Sequence, residues 1–321
     1  MQKPWMLLML ACLLGSGCVK KPVALEKETA FSILLLEDRS LTLRDIAEKD
    51  IDELRLDKDP WLTASDLDFY DFSCHCLYLL SGKNAFFTEE EGIRMNGQPF
   101  VVRAGGTRCY VGTFHGAALS VAPVRPYIDD LSIHFYPKDV LHIAPGWDTD
   151  RGDERDNTDV KHTLRELDKL HGGLSVTVTD IRVVNNTDTA AVRYTYVLTN
   201  NDQDVLVVLD PAKTGAGLFH YFTNGISFQS LNGIIGSEYK TVVRPEPYDS
   251  WRVAWLSEIA PGRTMERTVT LKGYPHIPQG QYSCSFQFAN PTKVEKADRC
   301  VGDGRIWIGQ ITSDEETVYV P

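Results

Sequence analysis

The densest set of metal-competent oxygens in the chain is DTDRGDERDNTD, residues 148–159, with five Asp and one Glu against two Arg. Asp148, Asp150, Asp153 and Asp156, with Glu154 among them, could offer hard oxygen ligands to Ca²⁺. The spacing departs from the twelve-residue calcium loop. Gly152 stands at the fifth position, where a ligand is wanted, and Asp159 stands at the twelfth in place of Glu. The competing reading is a solvated loop whose acids complement the N-terminal dipole of the helix that follows. The expectation is therefore no cofactor, with Ca²⁺ at Asp148, Asp150, Asp153 and Asp156 as the alternative.

Thiols are the second set. The chain has seven cysteines, of which Cys74, Cys76, Cys109, Cys284 and Cys300 lie beyond the first 18 residues. Cys284 and Cys300 bracket one strand–loop segment and are expected to pair. Cys74 and Cys76 read as one strand, where residues two apart face the same side and His75 faces the other. A bridge from Cys76 to Cys109 is expected, with Cys74 as its alternative partner and one thiol left over. Cys74, Cys76, Cys109 and His115 could instead surround zinc. His134, His142, His162, His171 and His220 are scattered, with no paired-histidine motif. No nucleophile elbow, P-loop or dinucleotide fingerprint occurs, so no catalytic residue is assigned.

These groups need elements to position them. AFSILLLE (residues 30–37) has strand length. Apolar residues between Leu41 and Leu54 recur at helical spacing, with Thr42 as N-cap. Leu67 to Leu80 reads as a strand. Residues 98–103 and 107–114 form a hairpin across Gly105–Gly106. The acidic loop leads into a helix over Thr158–Leu170, ended by Gly172–Gly173. From Leu174 onward, short alternating strands follow one another, separated by turn signals such as Asn185–Asn186 and Pro261–Gly262, the pattern of a β-sandwich. The Gly- and aromatic-rich segment from Lys213 to Ser227 reads as a plug at one end of the sandwich, with a ligand cleft as the alternative.

The N-terminus, MQKPWMLLMLACLLGSGC, has a basic start and an apolar run of about ten residues, which is signal-peptide length and too short to span a bilayer. LGSGC resembles the lipobox of bacterial lipoprotein precursors, although Gly15 stands where Leu is usual. The resemblance implies cleavage before Cys18 and lipidation of Cys18. With Val19 following, it also implies an outer-membrane location in a Gram-negative cell.

Two weaker resemblances concern the body of the chain. PGRTMERTVTL and GQYSCSFQF are similar to late strands of immunoglobulin-like modules, and Tyr282-x-Cys284 resembles a tyrosine corner. Tyr70, Asp71, Phe72 and His75, with Pro99, Phe100 and Val101, resemble a module of uncharacterised secreted bacterial proteins. That second likeness implies no activity.

With 33 Lys plus Arg against 44 Asp plus Glu, the net charge is −11. Nucleic acid is excluded as a partner, because phosphate binding needs clustered cations. The expected architecture is mainly β: signal peptide 1–17, tether 18–28, a small α+β module 29–150, an acidic loop and linker helix 151–173, and an immunoglobulin-like β-sandwich 174–321. The expected function is a non-catalytic binding or scaffold protein, lipid-anchored in the cell envelope and exported. Its partners would be the membrane and a protein or small-molecule ligand. The alternative is a secreted metal-dependent or hydrolytic enzyme that uses the acidic loop and nearby histidines.

Overall fold

The computed structural model describes residues 30–80, 93–130, 135–148, 152–231, 233–236, 243–248 and 250–321. The expected signal peptide 1–17 and tether 18–28, with Cys18, His134 and Asp150, lie outside the described residues. The protein is mainly β. Among the described residues no helix is long and apolar enough to cross a membrane.

The first part is built on a sheet ordered Leu62–Thr63, Phe31–Leu35, Asn96–Ala104, Thr107–His115, Tyr127–Asp129. Phe31, Ile33, Phe100, Val102 and Phe114 fill the core on one of its faces. Leu41 to Leu54 is not a continuous helix. It folds as two 3-10 turns, Leu43–Ile46 and Ile51–Glu53. The Asp50 side chain accepts from the Asp52 amide and restarts the chain between them. Ile46 and Leu54 still bury against Val101 and Val111 on the sheet's other face. The apolar spacing therefore marked the buried side correctly and the element wrongly.

A second sheet, Val140–His142, Cys76–Leu79, Leu67–Asp71, Leu170–His171, separates two cores. Its alternate residues serve different cores. Leu77, Leu79 and Leu141 face the first; Cys76, Tyr78 and Val140 face the second. Cys76–Leu79 is therefore buried at all four positions. An unbroken apolar run is what a strand covered on both faces requires. Residues 72–75 form a turn rather than a strand, with His75 left-handed at φ 51°.

Beyond Leu174, a three-stranded sheet (Leu174–Asn185, Thr189–Asn200, Thr264–Pro275) faces a second sheet ordered Gly233–Ile235, Ile226–Ser230, Gly280–Ala289, Gln310–Thr312. Glu316–Val320 also pairs with Gly280–Ala289. Tyr194 and Tyr196 each lie 5.1 Å from the Phe286 ring across the gap. Tyr282 donates its hydroxyl to the Pro278 carbonyl at 2.9 Å, which fixes the entry to its strand. A further sheet holds one pairing foreign to an all-antiparallel sandwich: Val205–Leu209 runs parallel to Gly304–Ile306. Residues 211–214 and 216–223 form two short helices, and Phe219 stacks on Tyr196 at 5.6 Å, so this segment is packed into the core.

The expected disulfides do not form. Cys74, Cys76, Cys109, Cys284 and Cys300 are all free thiols. Cys284 points into the second core, whereas Cys300 is exposed on a strand of another sheet. Cys76 faces the second core, and Cys109 lies in the first part's sheet against the first core. Each predicted pair is thus split between layers.

Candidate functional site

Helix Thr158–Glu166 starts where Asn157 accepts from the amides of Asp159 (2.9 Å) and Val160 (3.2 Å). It ends earlier than its sequence suggests, because Asp168 adopts φ 55°. This releases Leu170–His171 to pair in parallel with Tyr70–Asp71. Gly172 and Gly173 are therefore free for another role. They bring the chain against the Asn200–Asp204 turn and the turn after Asp71.

A buried ionic network forms there. Arg305 Nη2 donates to Asp71 Oδ2 at 3.0 Å and to Asp202 Oδ2 at 2.7 Å. Both carboxylates are fully buried. The guanidinium also lies 4.8 Å over the Phe69 ring and 5.9 Å from the Tyr78 ring, a favourable place for a desolvated cation. Asp202 Oδ1 accepts from the Asp204 amide at 3.1 Å and bonds His171 Nδ1 at 2.9 Å. Its Oδ2 accepts from the Gly173 amide at 3.1 Å as well as from Arg305. Burial alone would raise the Asp202 carboxyl. The bonds from His171 and the Arg305 charge outweigh it and hold the group far below the usual carboxylate range. Asp71 Oδ1 accepts from the Ser73 hydroxyl at 2.6 Å, and Ser73 Oγ in turn accepts from the Leu174 amide at 3.1 Å.

Among the described residues, only His171, Asp202 and Asp204 bring three candidate metal-ligand atoms within 4.8 Å. Asp202 already engages four hydrogen-bonding partners, and Arg305 holds the cation's place beside it. The cluster is best described as a clasp between the two parts of the chain. A second clasp lies nearby, where Arg299 grips both Asp139 oxygens at 3.0 and 2.9 Å.

The clasp borders a groove of about 640 Å³ between the two parts. Phe72, Tyr136 and His142 line one side, and Ser175, Thr177 and Thr312 line the other. Tyr136 stacks on His142 at 5.1 Å. Burial, reinforced by the Arg155 charge, depresses His142 to about 3 and keeps it neutral.

The acidic loop is distributed over several contacts. Asp153 takes a two-pronged ion pair from Arg155, through Nε at 2.8 Å and Nη2 at 2.5 Å. Burial alone would raise the Asp153 carboxyl, but Arg155 lowers it. Arg155 also donates to the Ile143 carbonyl at 2.7 Å. Glu154 pairs with Arg125. Asp156 lies 3.6 Å from His75 Nε2, while the Tyr70 hydroxyl bonds His75 Nδ1 at 3.0 Å. Asp148 and Asp153 line a smaller cavity of about 240 Å³. The structure brings Asp153 and Asp156 to the large groove, but not Asp148.

Of the groups weighed for zinc, Cys74 and Cys76 are neighbours in the second core, whereas Cys109 and His115 lie on a strand of the first part's sheet. His115 packs edge-on to Tyr127 at 5.7 Å. Burial pushes the Cys109 thiol up to about 11 and the Cys284 thiol up to about 12. Cys74, raised by burial and its Cys76 neighbour, donates to the Ile308 carbonyl at 3.4 Å. These are protonated, packing thiols rather than nucleophiles.

Sequence reasoning missed Arg305, Asp202 and Asp71 as one unit. The available signal was Arg305 itself, a lone charge inside the apolar run GRIWIGQI.

Elsewhere, Asp210 holds a comparable but more local contact. Its oxygens accept from Arg267 at 2.8 and 2.6 Å and from the Ser257 hydroxyl at 2.7 Å. Burial would raise this carboxyl, yet the Arg267 and Ser257 bonds bring it to about 2. In the unfolded chain it would titrate near ~4. The folded state therefore binds this proton less readily. The stabilisation is complete above about pH 4 and is lost as the pH falls toward 2. Asp210→Asn is expected to cost about 2 kcal/mol near neutral pH, the scale of a charge-assisted hydrogen bond. Denaturant melts at pH 7 and pH 2.5 should show the gap between variant and wild type closing at the lower pH. A constant gap would contradict the assignment.

Compared with known proteins, the chain matches no family model and no curated protein sequence.

Proposed function

We propose that this chain is an exported, lipid-anchored cell-envelope protein with a non-catalytic binding or scaffold role. Its second part is read as immunoglobulin-like. Cys18 carries the lipid and joins the body to the membrane, and the groove between the two parts receives a ligand. One observation supports this reading above the enzymatic one. The acids and histidines that hydrolysis or metal chemistry would need are engaged in the fold: Asp153 with Arg155, Glu154 with Arg125, His142 with Tyr136. The rest of the groove carries hydroxyls and aromatic rings, with the charges of Asp156, Lys161 and Asp314 beside them, a mixture suited to recognition.

Cys18→Ser is expected to move the protein from the membrane fraction to the soluble fraction of its host cell. Unchanged fractionation would remove the lipid anchor from the proposal. For the binding role, a thermal-shift screen of peptides and saccharides on the full chain should give a stabilising ligand. Its shift should vanish in Ser175→Trp, which fills the groove. Ligands that stabilise both proteins equally would place the binding surface elsewhere.

A further inference from the structure

The groove has a feature that side chains alone do not explain. Leu174, Ser175, Val176 and Thr177 all border it, as do Gln310, Ile311 and Thr312. Successive side chains on a strand point to opposite faces. Consecutive residues along one wall therefore mean that the wall is the strand's main-chain edge. Both strands are edges of their sheets.

The ladder fixes which main-chain groups face outward. The Asn201 amide donates to the Gly173 carbonyl at 2.9 Å, and the register pairs Leu174 with Asn200. In an antiparallel pair the direction alternates. Ser175 and Thr177 thus turn their main chain to the neighbouring strand, while Leu174, Val176 and Val178 turn theirs away. Leu174 uses its outward amide on Ser73 Oγ. Val176 and Val178 make no such bond to any described residue. On the other edge, Asn290 donates to the Gly309 carbonyl and Ser313 to the Phe286 carbonyl. By the same alternation, Gln310 and Thr312 face outward.

Exposed edges are normally blunted by bulges, charges or proline. Strand Leu174–Asn185 is blunted only in its distal half, by the bulge between Thr179 and Arg182, with Asp180 at φ 53° and Arg182 beside it. Its groove-side half, LSVTV, carries no charge, proline or bulge.

We infer that the edge Leu174–Val178 is a peptide-docking site, which takes an extended segment of a partner protein by strand addition inside the groove. The inference rests on the binding role proposed above and names its ligand class. Outward donors and acceptors recurring every second residue match another extended main chain. A saccharide offers no such repeat. The short Ser175 and Thr177 side chains leave the edge open to approach.

The test selects from a displayed library of random dodecapeptides on the full chain, with a glycan array in parallel. A selected peptide should slow exchange of the Val176 and Val178 amides at least tenfold. Val176→Pro removes an outward amide but no ladder bond, and it should weaken that peptide at least tenfold. The exchange measurement on wild type stands alone if the proline variant fails to fold. A peptide that binds without protecting those amides overturns the inference. A saccharide that binds when no peptide does also overturns it, while leaving the binding role intact. If neither ligand binds, the inference and the binding role fall together.

Discussion

Arg305→Met is expected to lower stability by about 3–5 kcal/mol, the usual result of removing one partner from a buried ion pair. Asp71 would keep a buried charge facing no cation, and Asp202 would be left with His171 and its amide donors alone. Methionine preserves much of the packing over Phe69 and Tyr78, so the loss would report charge rather than volume. Urea unfolding at pH 7 gives the measurement. A loss below about 1 kcal/mol would mean that the site is solvated and that the clasp contributes little. Adding Asp71→Asn to the variant should recover part of the loss, because one stranded charge is then gone. Residues that share one network couple by about 0.5–3 kcal/mol. Simple addition of the two losses would contradict a shared network.

The second large effect is expected at Gly173. This residue has φ 61°, and an added Cβ would lie 2.0 Å from Ser73 Oγ and 2.2 Å from Asp71 Oδ1. Gly173→Ala combines a left-handed backbone penalty of about 1–2 kcal/mol with an overpacking cost of about 1–3 kcal/mol. The sum is about 2–5 kcal/mol. Gly152 supplies the control. It has φ 67° with nothing within 4 Å of its added Cβ, so Gly152→Ala should show the backbone penalty alone. Equal losses for the two variants would show that the approach to Asp71 and Ser73 relaxes without cost.

The strands were legible because burial alternates along them. Leu174 to Val178 reads buried, exposed, buried, exposed, buried, and the residue types follow the same beat. The run Cys76–Leu79 also announced itself as a strand, but only the folded chain shows that it divides two cores. Helix length was misread twice, for different reasons. Near Asp50 a side chain competes for a local amide and interrupts the helical run. At Asp168 a non-glycine residue takes the left-handed stop that Gly172–Gly173 seemed made for.

The site was the least legible part. The acidic loop stood out by composition, yet Asp153 and Glu154 are paired with Arg155 and Arg125. Asp202 sits in NDQD, which looks like an ordinary turn. Its partner Arg305 is 103 residues away, and Asp71 lies 234 residues before Arg305. No local spacing encodes such a meeting. The cysteines misled for a related reason: suggestive intervals in sequence did not bring the expected partners together, since Cys76 and Cys284 face the second core while Cys109 and Cys300 lie elsewhere.

The distance between Asp71 and Arg305 also bears on how the chain is made. Synthesis runs from the N-terminus, so Asp71 and the sheet around it emerge long before residue 305. Until then Asp71 has no guanidinium, and the second core lacks Ile306, Trp307 and Ile308. A nascent chain halted just before Arg305 would hold Asp71 and Asp202, charges meant for the interior, without their cation. Segment Gly304–Ile306 thus carries a completion signal: the two parts of the chain can be clasped only after residue 305 has been added.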